Sequence, residues 1–206
     1  DTGELIGTYR FASRLVALLV FPLGFTLALF SQDILLLWLR DSLVAERVHA
    51  IFSLLVIGST LLTSLMMMPY ALTLAHADTR ITLRLHSFLL CIQVPAVIYS
   101  AIEFGAVGAA GLWCALFSIY GPLYAWRVNR KYLPSSHFQW LWDCVLRPAL
   151  PALAAVVVVK QAVTGFAIPA NFAILYLPLA WGLSQMAAWL VAPLPGFRLR
   201  TLLRPA

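Results

Sequence analysis

The chain has 206 residues, 62% hydrophobic and 11% charged, with a net charge of +6. Soluble domains carry roughly a quarter charged residues to wet their surface, so this composition excludes a soluble globule. The positive balance comes without a basic, aromatic-interleaved soluble face, which excludes nucleic acid as the partner.

In chain order, the opening "DTGELIGTYRFASR" is polar and lacks an initiator Met, and it reads as a fragment boundary within a longer protein. After it the apolar residues fall in long blocks rather than amphipathic stripes. A membrane span needs about 20 such residues, at ~1.5 Å each, to cross ~30 Å of hydrocarbon. Six blocks meet this: 11–32, 50–74, 82–102, 105–126, 145–164 and 171–192. None alternates like a strand, and lipid requires every backbone polar group to be paired internally, so helices are expected. Pro22, Pro69, Pro95, Pro122, Pro151 and Pro178 place one proline in each block, a residue membrane helices tolerate as a kink. After the first block, "SQDILLLWLRDSLVAERVH" continues apolar past Asp33 and reads as an interfacial extension with Trp38 at head-group level. The connection between the third and fourth blocks shrinks to Glu103-Phe104. The expected fold is all-α: one transmembrane domain, 1–206, a polytopic bundle of six helices.

Basic residues orient the bundle. Arg10, Arg14, Arg80, Arg84, Arg127, Arg130, Lys131, Arg147, Arg198, Arg200 and Arg204 fall on one side of the six spans. Only Arg40, Arg47 and Lys160 fall on the other. Positively charged loops stay cytoplasmic, which puts both termini of the segment in the cytoplasm.

Catalytic and metal chemistry have no motif here. His49, His76, His86 and His137 are scattered, and Cys91, Cys114 and Cys144 form no CxxC. "GAVGAAG" (105–111) opens a span instead of following a strand, so it suits close helix approach rather than phosphate binding. No catalytic residue, metal site or cofactor is expected, and the chain does not read as an enzyme. The ionisable residues near the membrane are the candidate site. Arg10 and Arg14, and again Arg80 and Arg84, are four apart on one helical face, a spacing that can hold an anionic head group or anchor to the inner leaflet. Lys160, within "VVVVKQAVTG", either faces a cavity or snorkels outward, and Glu103 is a candidate coupling carboxylate or ion-pair partner for it.

Three stretches carry a family resemblance: "YRFASRLVALLVFPLGFTLALFSQDILLLWL" (9–39), "PYALTLAHADTRITLRLH" (69–86) and "VPAVIYSAIEFGAVGAAGLW" (94–113). Together they resemble the C-terminal half of bacterial O-antigen-type polysaccharide flippases, of the multidrug/oligosaccharidyl-lipid/polysaccharide exporter superfamily. The match covers residues 5 to about 130, and the last two spans agree by topology alone. Two departures stand out: the family usually has glycine after "lwl", where this chain has Arg40, and often has glycine in the polar turn that here reads His76-Ala77-Asp78. The resemblance implies that six spans form about one lobe of a two-lobe transporter, with the N-terminal lobe missing. It further implies that a polyprenyl-pyrophosphate-linked oligosaccharide is flipped across the bacterial inner membrane by alternating access, with cationic side chains on the pyrophosphate. Membrane lipid and the missing lobe are the other expected partners. A drug/cation antiporter, a lipid II flippase and a non-catalytic membrane scaffold are the alternative readings.

Overall fold

A computed structural model of the chain describes residues 2–133, 137–166, 168–169 and 172–193. Within them the regular structure is all helical: α1 (Thr2–Leu29), α2 (Ser31–Leu39), α3 (Ser42–Ala75), α4 (Arg80–Tyr132), α5 (His137–Trp140), a π-helical turn (Leu141–Leu146), α6 (Arg147–Gly165) and α7 (Ala173–Val191). Five segments are long and apolar enough to cross a membrane.

The longest of these, α4, is two spans. At Gly105 the backbone takes φ 66° and ψ −160°, a region open essentially to glycine alone. Across that break Thr82 meets Tyr124 and His86 meets Tyr120, so residue numbers rise along one arm as they fall along the other. The arms are therefore antiparallel, and six spans result. The pivot is Gly105 itself, one residue beyond the Glu103-Phe104 connection read from sequence.

The segment after the first span is a separate helix rather than an extension. The chain breaks at Phe30 (φ −101°, ψ 22°), α2 runs to Leu39, and Arg40 turns left-handed at φ 54°. Asp41 then caps α3, its Oδ1 accepting from the amides of Leu43 at 3.0 Å and Val44 at 3.2 Å. This cap satisfies amides that the helix start leaves orphaned, and it fixes the start of the second span at Ser42, eight residues before position 50.

Packing follows chain order. The α4 hairpin lies on α3, α3 on α1, and α1 on α6, α7 and the π-helical turn. Small residues let these backbones approach, since lipid supplies no hydrophobic drive between helices. A Cβ on Gly24 would overlap the Thr60 side chain, one on Gly58 would meet Trp113 at 2.5 Å, and one on Gly121 would meet Leu65 at 3.0 Å. The core divides in two. The larger cluster joins Leu18 and Phe21 of α1 with Leu65, Tyr124, Trp140 and Ala152. The smaller one gathers Phe30, Val156, Val159, Val163, Ala173, Tyr176 and Ala180 where α1, α6 and α7 meet.

Candidate functional site

The bundle has two distinct ends. At one, a buried polar seam joins α1, α4, α5 and the π-helical turn. The Tyr9 hydroxyl donates to Asn129 Oδ1 at 2.7 Å, and Trp140 Nε1 donates to Ser13 Oγ at 2.9 Å. Ser13 Oγ donates in turn to the Tyr9 carbonyl at 2.8 Å, and the Cys144 thiol to the Arg10 carbonyl at 3.6 Å. Tyr9 and Trp140 stack with ring centroids 5.9 Å apart. Interhelical hydrogen bonds of this kind fix register in a membrane bundle.

Arg10 and Arg14 stand one turn apart on α1 beside this seam. Arg14 donates from one terminal guanidinium nitrogen to the Pro193 carbonyl at 2.8 Å, just past the C-terminal end of α7. A cation there also meets the negative pole of that helix. The Nε of both arginines is shielded from solvent and has no hydrogen-bond partner. Shielded donors without acceptors are rare and destabilising, and in a guanidinium they are what an incoming oxyanion would satisfy.

Arg80 and Arg84 are elsewhere. Both are exposed at the start of the outer hairpin, which packs on α3 and α5. The Arg80 amide donates to Asp78 Oδ1 at 3.3 Å. The four arginines thus form two separate pairs. Asp78 ties the α3–α4 turn to the far end of the hairpin: Lys131 Nζ and the Tyr132 hydroxyl, the latter at 2.8 Å, both donate to its Oδ2. The hydrogen bond from Lys131, then that from Tyr132, lowers the Asp78 pKa to about 2.

At the opposite end Lys160 finds a partner, but not Glu103. Its Nζ lies 3.0 Å from Asp33 Oδ2 and 4.7 Å from the centroid of the Phe30 ring. Glu103 is exposed at the tip of the α4 hairpin, on the outer side of α3 from α6. Asp33 interrupts an apolar run on the same side of the bundle as Lys160, the one sequence signal that singles it out as the counter-charge. Sequence reading also missed a chain of polar contacts that links α3 to both arms of the hairpin. Thr73 Oγ1 sits 3.2 Å from Thr82 Oγ1, which sits 2.8 Å from the Tyr124 hydroxyl. His86 Nδ1 lies 2.9 Å from the Thr82 carbonyl and 3.2 Å from the Tyr120 hydroxyl. His86 also borders a cavity of about 320 Å³ with Leu62, Thr63, Met66, Met67 and Tyr70.

Among the described residues no three His, Cys, Asp or Glu side chains come together as metal ligands. What the fold and these ends define is a multi-pass, all-helical membrane bundle with one strongly basic end. No family model, curated protein or solved structure matches the chain.

Proposed function

We propose that the chain is one lobe of a transporter that flips polyprenyl-pyrophosphate-linked oligosaccharide from the inner to the outer leaflet of the bacterial cytoplasmic membrane. One observation carries this reading. Arg40 and Ala77 are the non-glycine residues with positive φ among those described, at 54° and 51°. Arg40 stands where the resemblance usually implies a glycine, and Ala77 lies within the turn where it often implies one. Glycine is favoured where the backbone must turn left-handed, so a left-handed backbone at these positions is one that a glycine there would serve, which supports the resemblance. A resemblance by composition alone gives no reason for that backbone.

The basic end supports a cytoplasmic start of transport, since positively charged loops stay inside. There Arg10 and Arg14 take the pyrophosphate, their unpartnered Nε–H groups supplying charge-assisted hydrogen bonds. The partner is a second lobe, against which this one rocks. Neither lobe transports alone, because alternating access needs a cavity closed from both sides.

The test joins the upstream half to this chain in a strain lacking its O-antigen or capsule flippase. Surface polysaccharide returns if the proposal holds. Its absence despite normal membrane insertion rejects the flippase reading and leaves a scaffold or another cargo.

A further inference from the structure

Met66 and Met67 of α3 and His86 of α4 border one cavity of about 320 Å³, together with Leu62, Thr63 and Tyr70. Leu62, Met66 and Tyr70 stand four apart on α3, as do Thr63 and Met67, so they share the helix face that meets His86. The state of the imidazole follows from its partners. A carbonyl only accepts, so the 2.9 Å contact between His86 Nδ1 and the Thr82 carbonyl puts the proton on Nδ1. The Tyr120 hydroxyl, 3.2 Å from the same nitrogen, then has no lone pair there to donate to. In neutral His86 this leaves Nε2 with a bare lone pair and no hydrogen-bond partner among the described residues. Tyr120 and Tyr124 pack edge-on to the ring at 5.6 and 5.7 Å and hold its plane.

An imidazole whose Nδ1–H is fixed by a backbone carbonyl while Nε2 stands free is arranged as metal-binding histidines are. The other groups on the cavity wall with ligand chemistry suited to a metal are two thioethers, outside the His, Cys and carboxylate sets considered above. No carboxylate or thiol lines the cavity among the described residues, so Mg²⁺ and Ca²⁺ find no anionic oxygen there. A neutral ligand set also disfavours divalent ions, because the cost of leaving water grows with the square of the charge. Thioethers are soft and polarizable, and they select soft ions. We propose that His86 Nε2 and the Met66 and Met67 sulfurs form a binding site for a soft monovalent cation, Cu(I) or its analogue Ag(I). Met66 is buried and Met67 half-exposed, so the ion enters on the Met67 side. Once bound, it ties α3 to the hairpin one turn from the Thr73–Thr82 contact. The site does not depend on what the lobe carries.

Metal titration of the purified full chain in detergent tests this. Thiolates hold the same ions more tightly, so Cys91, Cys114 and Cys144 are first replaced by alanine. Competition for Cu(I) against a colorimetric chelator then gives one site, and X-ray absorption shows nitrogen and sulfur around the copper. Losing even an outer-shell partner weakens a metal site roughly 10–100-fold, so Met66→Leu with Met67→Leu, which removes two ligands, weakens this one more than about tenfold. Both changes conserve volume, so the fold tolerates them. Imidazole ¹⁵N NMR gives a readout in the native chain, and it decides the matter should the cysteine-free chain fail to fold. After Ag(I) has saturated the thiols, the next equivalent moves the His86 Nε2 resonance, and the double methionine variant loses that shift. Absence of a site, an affinity of the double variant within about tenfold of its parent, or an unmoved Nε2 resonance overturns the proposal.

Discussion

Replacing Ala77 with glycine should stabilise the protein, although it removes a methyl group and loosens the unfolded chain. Ala77 follows α3 in a left-handed conformation with φ 51°. The Asp78 amide donates to the Thr73 carbonyl at 3.0 Å and the Ala77 amide to the Leu74 carbonyl at 2.9 Å. These two bonds are the Schellman pattern, whose left-handed residue is ordinarily glycine. A side chain there crowds its own carbonyl at about 1–2 kcal/mol. Glycine removes that strain but gives back roughly 0.5–1 kcal/mol in backbone entropy. The net gain is therefore about 0.5–1 kcal/mol, or on the order of 1–4 °C in melting temperature for a chain of this size. Ala75→Gly is the internal control. Two residues upstream the same chemical change falls on the last residue of α3, where right-handed backbone gives glycine no strain to relieve and it costs up to about 1 kcal/mol. Tryptophan-fluorescence melting of the two variants in detergent should give shifts of opposite sign. If both lower the melting temperature alike, the left-handed turn is not the native backbone, and the support it lends the proposed function is lost.

Other consequences are as direct. Gly24→Ala forces a Cβ into Thr60, whose hydroxyl is already bonded to the Val56 carbonyl at 2.7 Å. Overpacking of this kind costs about 1–3 kcal/mol, and a chemical-denaturation midpoint lower than native checks it. The Asp78 carboxyl, at about 2 against an ordinary 3.8, binds protons less readily when folded. Its contribution is thus complete above roughly pH 4 and lost as pH falls toward 2. Melting curves from pH 5 to pH 2 should show that slope, and Asp78→Asn should flatten it. For the arginines, lysine keeps the charge but loses the planar fork. In the complementation test of the proposed function, Arg10→Lys should reduce surface polysaccharide, whereas Arg80→Lys, at an exposed site, should leave it near native.

The span count and the segregation of charge are legible in sequence because they follow from composition over about 20 residues, which neighbouring helices do not alter. Bounds between spans are less so. "SQDILLLWL" is apolar enough to extend the first span, and only the backbone break at Phe30 makes it a helix of its own. Gly105 shows the reverse: small residues point to close packing, while its φ and ψ make it the pivot of a hairpin.

Pairing was the least legible feature, and the reason is geometric. Lys160 and Glu103 both fall on the less basic side, but an ion pair needs adjacent helices, and the order of helices around a bundle is set by side-chain fit rather than by charge. The α4 hairpin packs outside α3, which keeps Glu103 away from α6, while the elbow after α1 carries Asp33 to it. The same order separates Arg10 and Arg14 from Arg80 and Arg84, which sequence spacing made look equivalent. Two pairs alike in spacing therefore differ in what they offer an anion. The α1 pair lies against a buried polar seam with donors unmet, and the α4 pair lies open on the outermost hairpin. An anion gains most where water is excluded and donors are already fixed in place, so of the two pairs the α1 pair offers an oxyanion the stronger site.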